Sequence, residues 1–281
     1  MEDKEAQAAE LVRQGIEYQE RQSFKEALWS FSRALEVMPG FPLALLRRGH
    51  LLLTAGKTTD AIHDFTAAID RDPTDERGYS YRGLAFQRAG DDENAVADFT
   101  SAISLKPDAV TYQCRGWSLS RLAQHTKAMA DMQAAIVLKP ENVQFYLDRA
   151  AVADAAGESE EAIADLTHAV EMEPENIKAL EARGLLYMEG ANFNMAERDF
   201  TKITELNAKY ADAYYLRGEN FFKQTMYDDA ETDFTLAISL KPDFRYFYEA
   251  RARAYDQLQQ PQLAAADRAR AEKLPHPVNL A

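Results

Sequence analysis

The stretch DFTSAISLKPD, Asp98 to Asp108, returns as DFTLAISLKPD at Asp233 to Asp243 with one residue changed. An array of stacked units needs the same local solution at each joint, whereas an active site has no use for a duplicated surface stretch. Aligning the chain on the proline of this phrase gives Pro39, Pro73, Pro107, Pro140, Pro174, then Ala208 in place of a proline, Pro242 and Pro275. The steps are 33 or 34 residues throughout. Such a period signals repeated supersecondary units rather than separate globular domains.

Within each period a small residue recurs, at Gly15, Gly49, Gly83, Gly116, Ala150, Gly184, Gly218 and Ala252. Three residues later stand Tyr18, Leu52, Phe86, Leu119, Ala153, Tyr187, Phe221 and Tyr255, and twelve later an alanine in every unit, from Ala27 to Ala264. Small residues at fixed places on two consecutive amphipathic segments let two helices pack closely. The proline then ends the second helix, because it cannot continue the hydrogen-bond ladder.

This pattern closely resembles the tetratricopeptide repeat. The resemblance implies an all-α fold, a right-handed superhelical α-solenoid of antiparallel helix pairs, with first helices lining a concave groove and second helices on the convex side. Eight repeats are expected over residues 8–275, at about 8–41, 42–75, 76–108, 109–142, 143–176, 177–210, 211–244 and 245–275. They are preceded by a short N-terminal extension (1–7) and followed by a C-terminal tail (276–281).

The residue before the small position is arginine in seven units, Arg48, Arg82, Arg115, Arg149, Arg183, Arg217 and Arg251. Sixteen residues later the same units carry Asp64, Asp98, Asp131, Asp165, Asp199, Asp233 and Asp267, while the first unit loses both members to Gln14 and Ser30. Joint presence and joint loss predict that each arginine forks onto the carboxylate of its own second helix. The competing reading, a ladder of arginines for an acidic ligand, requires guanidinium groups that such aspartates would already neutralise.

Composition narrows the function. The 281 residues carry 32 basic and 46 acidic side chains, a formal net charge of −14, which disfavours nucleic acid and anionic lipid as main partners. No run approaches the length of a bilayer span and the first ten residues lack the apolar core of a secretory signal, so no membrane insertion is expected. A single cysteine, Cys114, excludes an internal disulfide framework and agrees with a cytoplasmic location. The histidines His50, His63, His125, His168 and His276 show no metal-ligand spacing, no glycine-rich phosphate loop exists, and Cys114 reads as a packing residue. The chain is therefore read as no enzyme, with no cofactor.

The expected role is a protein-binding scaffold or adaptor that holds a segment of a partner in the groove. Chaperone adaptors of this family clamp a terminal carboxylate with lysine three before and asparagine one after the small position. Here those pairs run from Val12 with Ile16 to Glu249 with Arg253, and none is lysine with asparagine. The carboxylate clamp is absent. The groove positions predict apolar anchoring at Leu46, Tyr81, Leu84, Trp117 and Leu147 beside His50, Arg47, Arg88 and Arg121, and an acidic C-terminal half that includes Glu181 and Glu219. A partner segment with apolar anchors and a basic flank would match. The alternative is a self-assembling structural subunit joined through exposed solenoid ends, against which the polar last helix, with Asp267, Arg268 and Arg270, reads as a solvated cap. Trp29, on a second helix, is given no role.

Overall fold

The computed structural model describes residues 2–275. They form two compact units, one extending to Ala156 and one beginning at Gly157. The first unit contains α1 (Glu2–Glu20), α2 (Phe24–Val37), α3 (Pro42–Thr54), α4 (Thr58–Arg71), α5 (Glu76–Ala89), α6 (Asp92–Leu105), α7 (Ala109–Arg121), α8 (His125–Leu138) and α9 (Val143–Ala155). The second contains α10 (Ser159–Met172), α11 (Ile177–Glu189), α12 (Phe193–Leu206), α13 (Ala211–Lys223), α14 (Tyr227–Leu240), α15 (Arg245–Gln257) and α16 (Pro261–Ala271). No strand occurs among the described residues. Each unit is an α-solenoid of tandem antiparallel pairs in which each helix packs against its neighbours in the chain.

The first helices α3, α5, α7, α9, α11, α13 and α15 begin at residues 42, 76, 109, 143, 177, 211 and 245, the repeat starts read from the proline spacing. Helix α1 begins at Glu2, so residues 2–7, expected as part of an N-terminal extension, belong to the first helix. Residues 276–281, with His276, lie outside the described residues.

The second helices α2, α4, α6, α8, α10, α12 and α14 close in one way, the amide of the next residue donating to the carbonyl four residues back. In the repeated phrase the amide of Lys106 donates to Ala102, and that of Lys241 to Ala237. The proline that follows offers no N–H, so the ladder stops. Where Ala208 replaces the proline, α12 still ends at Leu206, and the Asn207 side chain accepts from the Lys209 amide at 3.1 Å. The same side-chain turn occurs beside Pro73, where the Thr74 amide donates to Asp72 at 3.0 Å, so it accompanies the helix end with or without the proline.

The turn out of each first helix is equally regular. One residue there has positive φ in every repeat: Gln22, Gly56, Gly90, Ala123, Gly157, Ala191, Thr225 and Gln259, from 56° to 80°. Five of these are not glycine, and the left-handed conformation costs them roughly 1–2 kcal/mol each.

The core is a series of ring-on-glycine contacts. Phe65, Phe99, Phe200 and Phe234 are buried, each lying against the glycine sixteen residues earlier. A Cβ placed on Gly83 would meet Phe99 Cε1 at 2.8 Å. Repeat four keeps the arrangement with Gly116 and Met132.

Candidate functional site

The arginine and aspartate positions meet as predicted. In Arg48–Asp64, Arg82–Asp98, Arg115–Asp131, Arg183–Asp199, Arg217–Asp233 and Arg251–Asp267, Nε and Nη2 each donate to one carboxylate oxygen at 2.7–2.8 Å. The members of the seventh pair, Arg149 and Asp165, belong to different units. The remaining terminal nitrogen reaches back one repeat. Nη1 of Arg82, Arg115, Arg183, Arg217 and Arg251 donates to Thr66, Thr100, Thr167, Thr201 and Thr235 at 2.9–3.3 Å, and Arg149 uses Gln133 in the same way. In the triplet DFT, the aspartate serves its own repeat, the phenylalanine fills the space beside glycine, and the threonine receives the next arginine. Several of these guanidinium groups also lie over a ring, as Arg115 over Tyr112 at 5.6 Å and Arg217 over Tyr214 at 5.6 Å. With both faces and edges engaged, the ladder is a structural element with little charge left for a ligand.

On the first-helix face of the first unit, the sequence-read residues separate into three groups. Leu46 is only 3% exposed and packs with Leu45, Phe65 and Ala85 under Tyr81 and Leu84. It is a core residue, because the side chains of α5 cover it, and it offers no anchor surface. Tyr81, Leu84 and Leu147 are half-buried. Trp117 is half-buried too, packed against a cluster of Leu119, Ala128, Met132 and Val152, so part of its ring belongs to the core rather than standing on an open helix face.

The charged residues of this face differ in what they still offer. Arg121 donates through Nε to Asp92 at 2.8 Å and through Nη2 to the other carboxylate oxygen. Arg88 is exposed and donates Nη1 to the Leu53 carbonyl at 2.9 Å. Arg47 is exposed. The His50 ring lies 5.5 Å from that of Tyr81, and partial burial together with the nearby Arg47 and Arg88 charges lowers its pKa.

Between α5 and α7 lies a cleft of about 240 Å³ whose wall includes Tyr81, Leu84, Phe99, Val110 and Cys114. Val110 is 48% exposed and was missed as a site residue. Its signal was available, since it stands six residues before Gly116 just as Arg77 stands six before Gly83. The rim charges are paired: Lys106 with Glu76 at 3.1 Å and Arg77 with Asp75 at 2.7 Å. Burial, then the Asp108 and Asp148 charges, push the Cys114 thiol up to about 11. The thiol is therefore protonated at pH 7 and lines the wall of the cleft.

In the second unit the acidic positions are largely engaged by their own neighbours. Glu181 accepts from Tyr210 Oη at 2.7 Å, and Asp212 accepts from both Lys241 Nζ and Tyr246 Oη at 2.7 Å. Glu219 pairs with Arg253, and Glu249 with Arg245 at 2.6 Å. Tyr215 packs at the centre of this network, 5.0 Å from Tyr246 and 5.4 Å from Phe247, and burial raises its hydroxyl to about 12. The lysine of the repeated phrase thus performs one task twice, since Lys106 and Lys241 each hold an acid at the start of their own first helix.

Family models described as tetratricopeptide repeat match residues 12–76, 46–110, 143–176 and 211–244. The chain belongs to the tetratricopeptide repeat family. No curated protein matches it. Among solved structures it resembles a tetratricopeptide repeat protein from Parabacteroides merdae, 21% identical, with 88% of this chain and 98% of that one covered and a TM-score of 0.63. The C-terminal part of a TPR repeat-containing protein from Cytophaga hutchinsonii is 15% identical over 85% and 98% of the two chains, with a TM-score of 0.73. YrrB, described as a TPR protein with an unusual peptide-binding site, is 22% identical over 66% and 97%, with a TM-score of 0.55. At these identities the similarity concerns the fold. No described helix is long and apolar enough to cross a membrane.

Proposed function

We propose that this tetratricopeptide repeat protein is a non-enzymatic scaffold or adaptor, working in the cytoplasm, whose first unit holds a segment of a partner protein on its first-helix face. The observation that carries this reading is the cleft between α5 and α7, where Tyr81, Leu84 and exposed Val110 surround an apolar space with paired charges at its rim. A wall of that chemistry accepts a neutral apolar side chain, and a desolvated anchor of this kind supplies most of the affinity in a peptide complex. The peptide-binding site named for YrrB is consistent with such a role for this family member. Leu84, Leu147 and the accessible part of Trp117 extend the apolar surface. In the second unit Glu189, exposed and without a cationic partner among the described residues, favours a basic segment, while Glu181 and Glu219 contribute less because their charge is already engaged.

Affinity capture from native extract with wild-type protein and with Val110→Asp tests the reading. Captured partners should be lost with Val110→Asp and kept with Val137→Asp, which alters an exposed residue on a second helix. Retention of the same partners by Val110→Asp would refute it.

Self-assembly is a second reading, favoured by large apolar side chains exposed on second helices, Trp29 at 60% and Val137 at 69%. Sedimentation velocity over a hundredfold concentration range separates the two: a concentration-dependent mass abolished by Trp29→Glu or Val137→Asp would support assembly through this face.

A further inference from the structure

Arg47 and Arg88 stand apart from the other arginines of α3, α5 and α7. Arg48, Arg77, Arg82, Arg115 and Arg121 each bind a carboxylate. Arg47 and Arg88 bind none among the described residues, in a chain whose net charge is −14. Arg47 and His50 are three apart on α3 and so share one side of it. Arg88 crosses from α5 to the Leu53 carbonyl, one turn beyond His50. That bond satisfies one terminal nitrogen, and the rest of the guanidinium has no acceptor among the described residues. Partial burial and the charges of Arg47 and Arg88 lower the His50 pKa. Tyr81 then joins the two regions, because its ring faces His50 at 5.5 Å and also lines the cleft.

We propose that Arg47, His50 and Arg88 form an anion subsite next to the α5/α7 cleft, and that it takes the side-chain carboxylate of an aspartate or glutamate close in sequence to the apolar residue held in the cleft. This deepens the groove reading and rests on it. The subsite uses positions two before, one after and five after the small residue, and no lysine or asparagine of the carboxylate clamp. Charge complementarity selects the occupant: two exposed arginines without acids, on a face where every other arginine is neutralised, attract an anion and repel a cation. A guanidinium also matches a carboxylate geometrically, through parallel N–H donors.

The test uses the full chain and a displayed library of random twelve-residue peptides fused at their C-termini, so that every available carboxylate is a side chain. Wild-type protein should enrich peptides with an acid within three positions of a leucine, isoleucine, valine or phenylalanine. For one selected peptide, replacing that acid by its amide should weaken binding about tenfold at physiological salt, the exposed end of the range for charge-assisted hydrogen bonds. Arg47→Gln with Arg88→Gln should bind the acid and amide peptides equally, with the wild-type circular dichroism spectrum. Apolar peptides without acids that cross-link to the cleft, or acid and amide forms within twofold of each other on wild-type protein, would overturn the subsite and leave the groove reading standing. Selected peptides that cross-link away from α3, α5 and α7, or no enrichment at all, would overturn both. In a companion library fused at its N-termini, binding that depends on Arg47 and Arg88 and needs the free C-terminal carboxylate but no side-chain acid would overturn the side-chain assignment in favour of a terminal carboxylate.

Discussion

Removing one partner from the Arg82–Asp98 pair should cost more than removing both. Asp98 is buried and accepts from Arg82 Nε at 2.7 Å and Nη2 at 2.8 Å, while Nη1 reaches Thr66 at 3.1 Å. Arg82→Met leaves a buried carboxylate without a cation, which places it in the range of roughly 3–5 kcal/mol found for broken buried pairs. Asp98→Leu leaves the guanidinium instead, whose side chain is 21% exposed. Water relieves part of that loss, so about 2–4 kcal/mol is expected. The double variant removes both charges and retains apolar volume, and should fall within about 1 kcal/mol of wild type. The resulting coupling is about 4 kcal/mol or more, far above the ~0.5 kcal/mol within which independent sites add. Because repeat arrays unfold in pieces, native-state hydrogen exchange on α5 and α6 is the suitable measurement. Thr66→Val, which deletes only the backward bond, should lower protection by about 1 kcal/mol at the joint between α4 and α5. Single and double variants that add within error would refute the pairing as an energetic unit.

Three further outcomes follow from the geometry. Gly83→Ala forces a Cβ to 2.8 Å from Phe99 Cε1 and should cost about 1–3 kcal/mol in thermal unfolding, with partial rescue by Phe99→Leu. Thr225, a β-branched residue at φ 62°, should gain up to about 1 kcal/mol when replaced by glycine, as read by urea denaturation; unchanged or lower stability would remove the strain argument. Cys114, with its thiol raised from 9.0 to about 11, should react slowly with iodoacetamide at pH 7. Since the folded state holds that proton more tightly than the unfolded one, its contribution to stability is full below pH 9 and declines as pH rises from 9 towards 11. Rapid labelling of native protein at pH 7 would contradict the burial of this thiol.

The proline spacing made the helix pairs and their starts legible, because proline and the small residue act locally and leave one-letter traces. The arginine–aspartate fork was legible for another reason: both members vanish together in repeat one. The backward bond to threonine left an equally regular trace in DFT, but its partner lies in the next repeat, so comparison within single units did not reveal it. The ring-on-glycine contact was likewise visible as a pairing of Gly83 with Phe99 or Gly218 with Phe234. Groove residues were read less well. Whether Leu46 reaches solvent depends on the sizes of Tyr81 and Leu84 on the adjacent first helix, and whether Arg121 keeps its charge depends on Asp92 at the start of α6. Such facts belong to packing between elements, which a position within one repeat does not encode.

The near-identity of the stretches ending α6 and α14 has a consequence for folding fidelity. Thr100 and Thr235 present the same hydroxyl to an incoming arginine, and Lys106 and Lys241 grip equivalent acids. A helix hairpin emerging from synthesis, or from a second molecule, finds two docking seams with almost the same lock. Correct order must then come from places where the repeats differ, such as Met132 and Gln133 in α8 instead of phenylalanine and threonine, and from connections too short to let a hairpin skip a neighbour. Uniform joints make an array easy to extend and easy to stack out of order, and the irregular fourth repeat marks position along an otherwise repetitive chain.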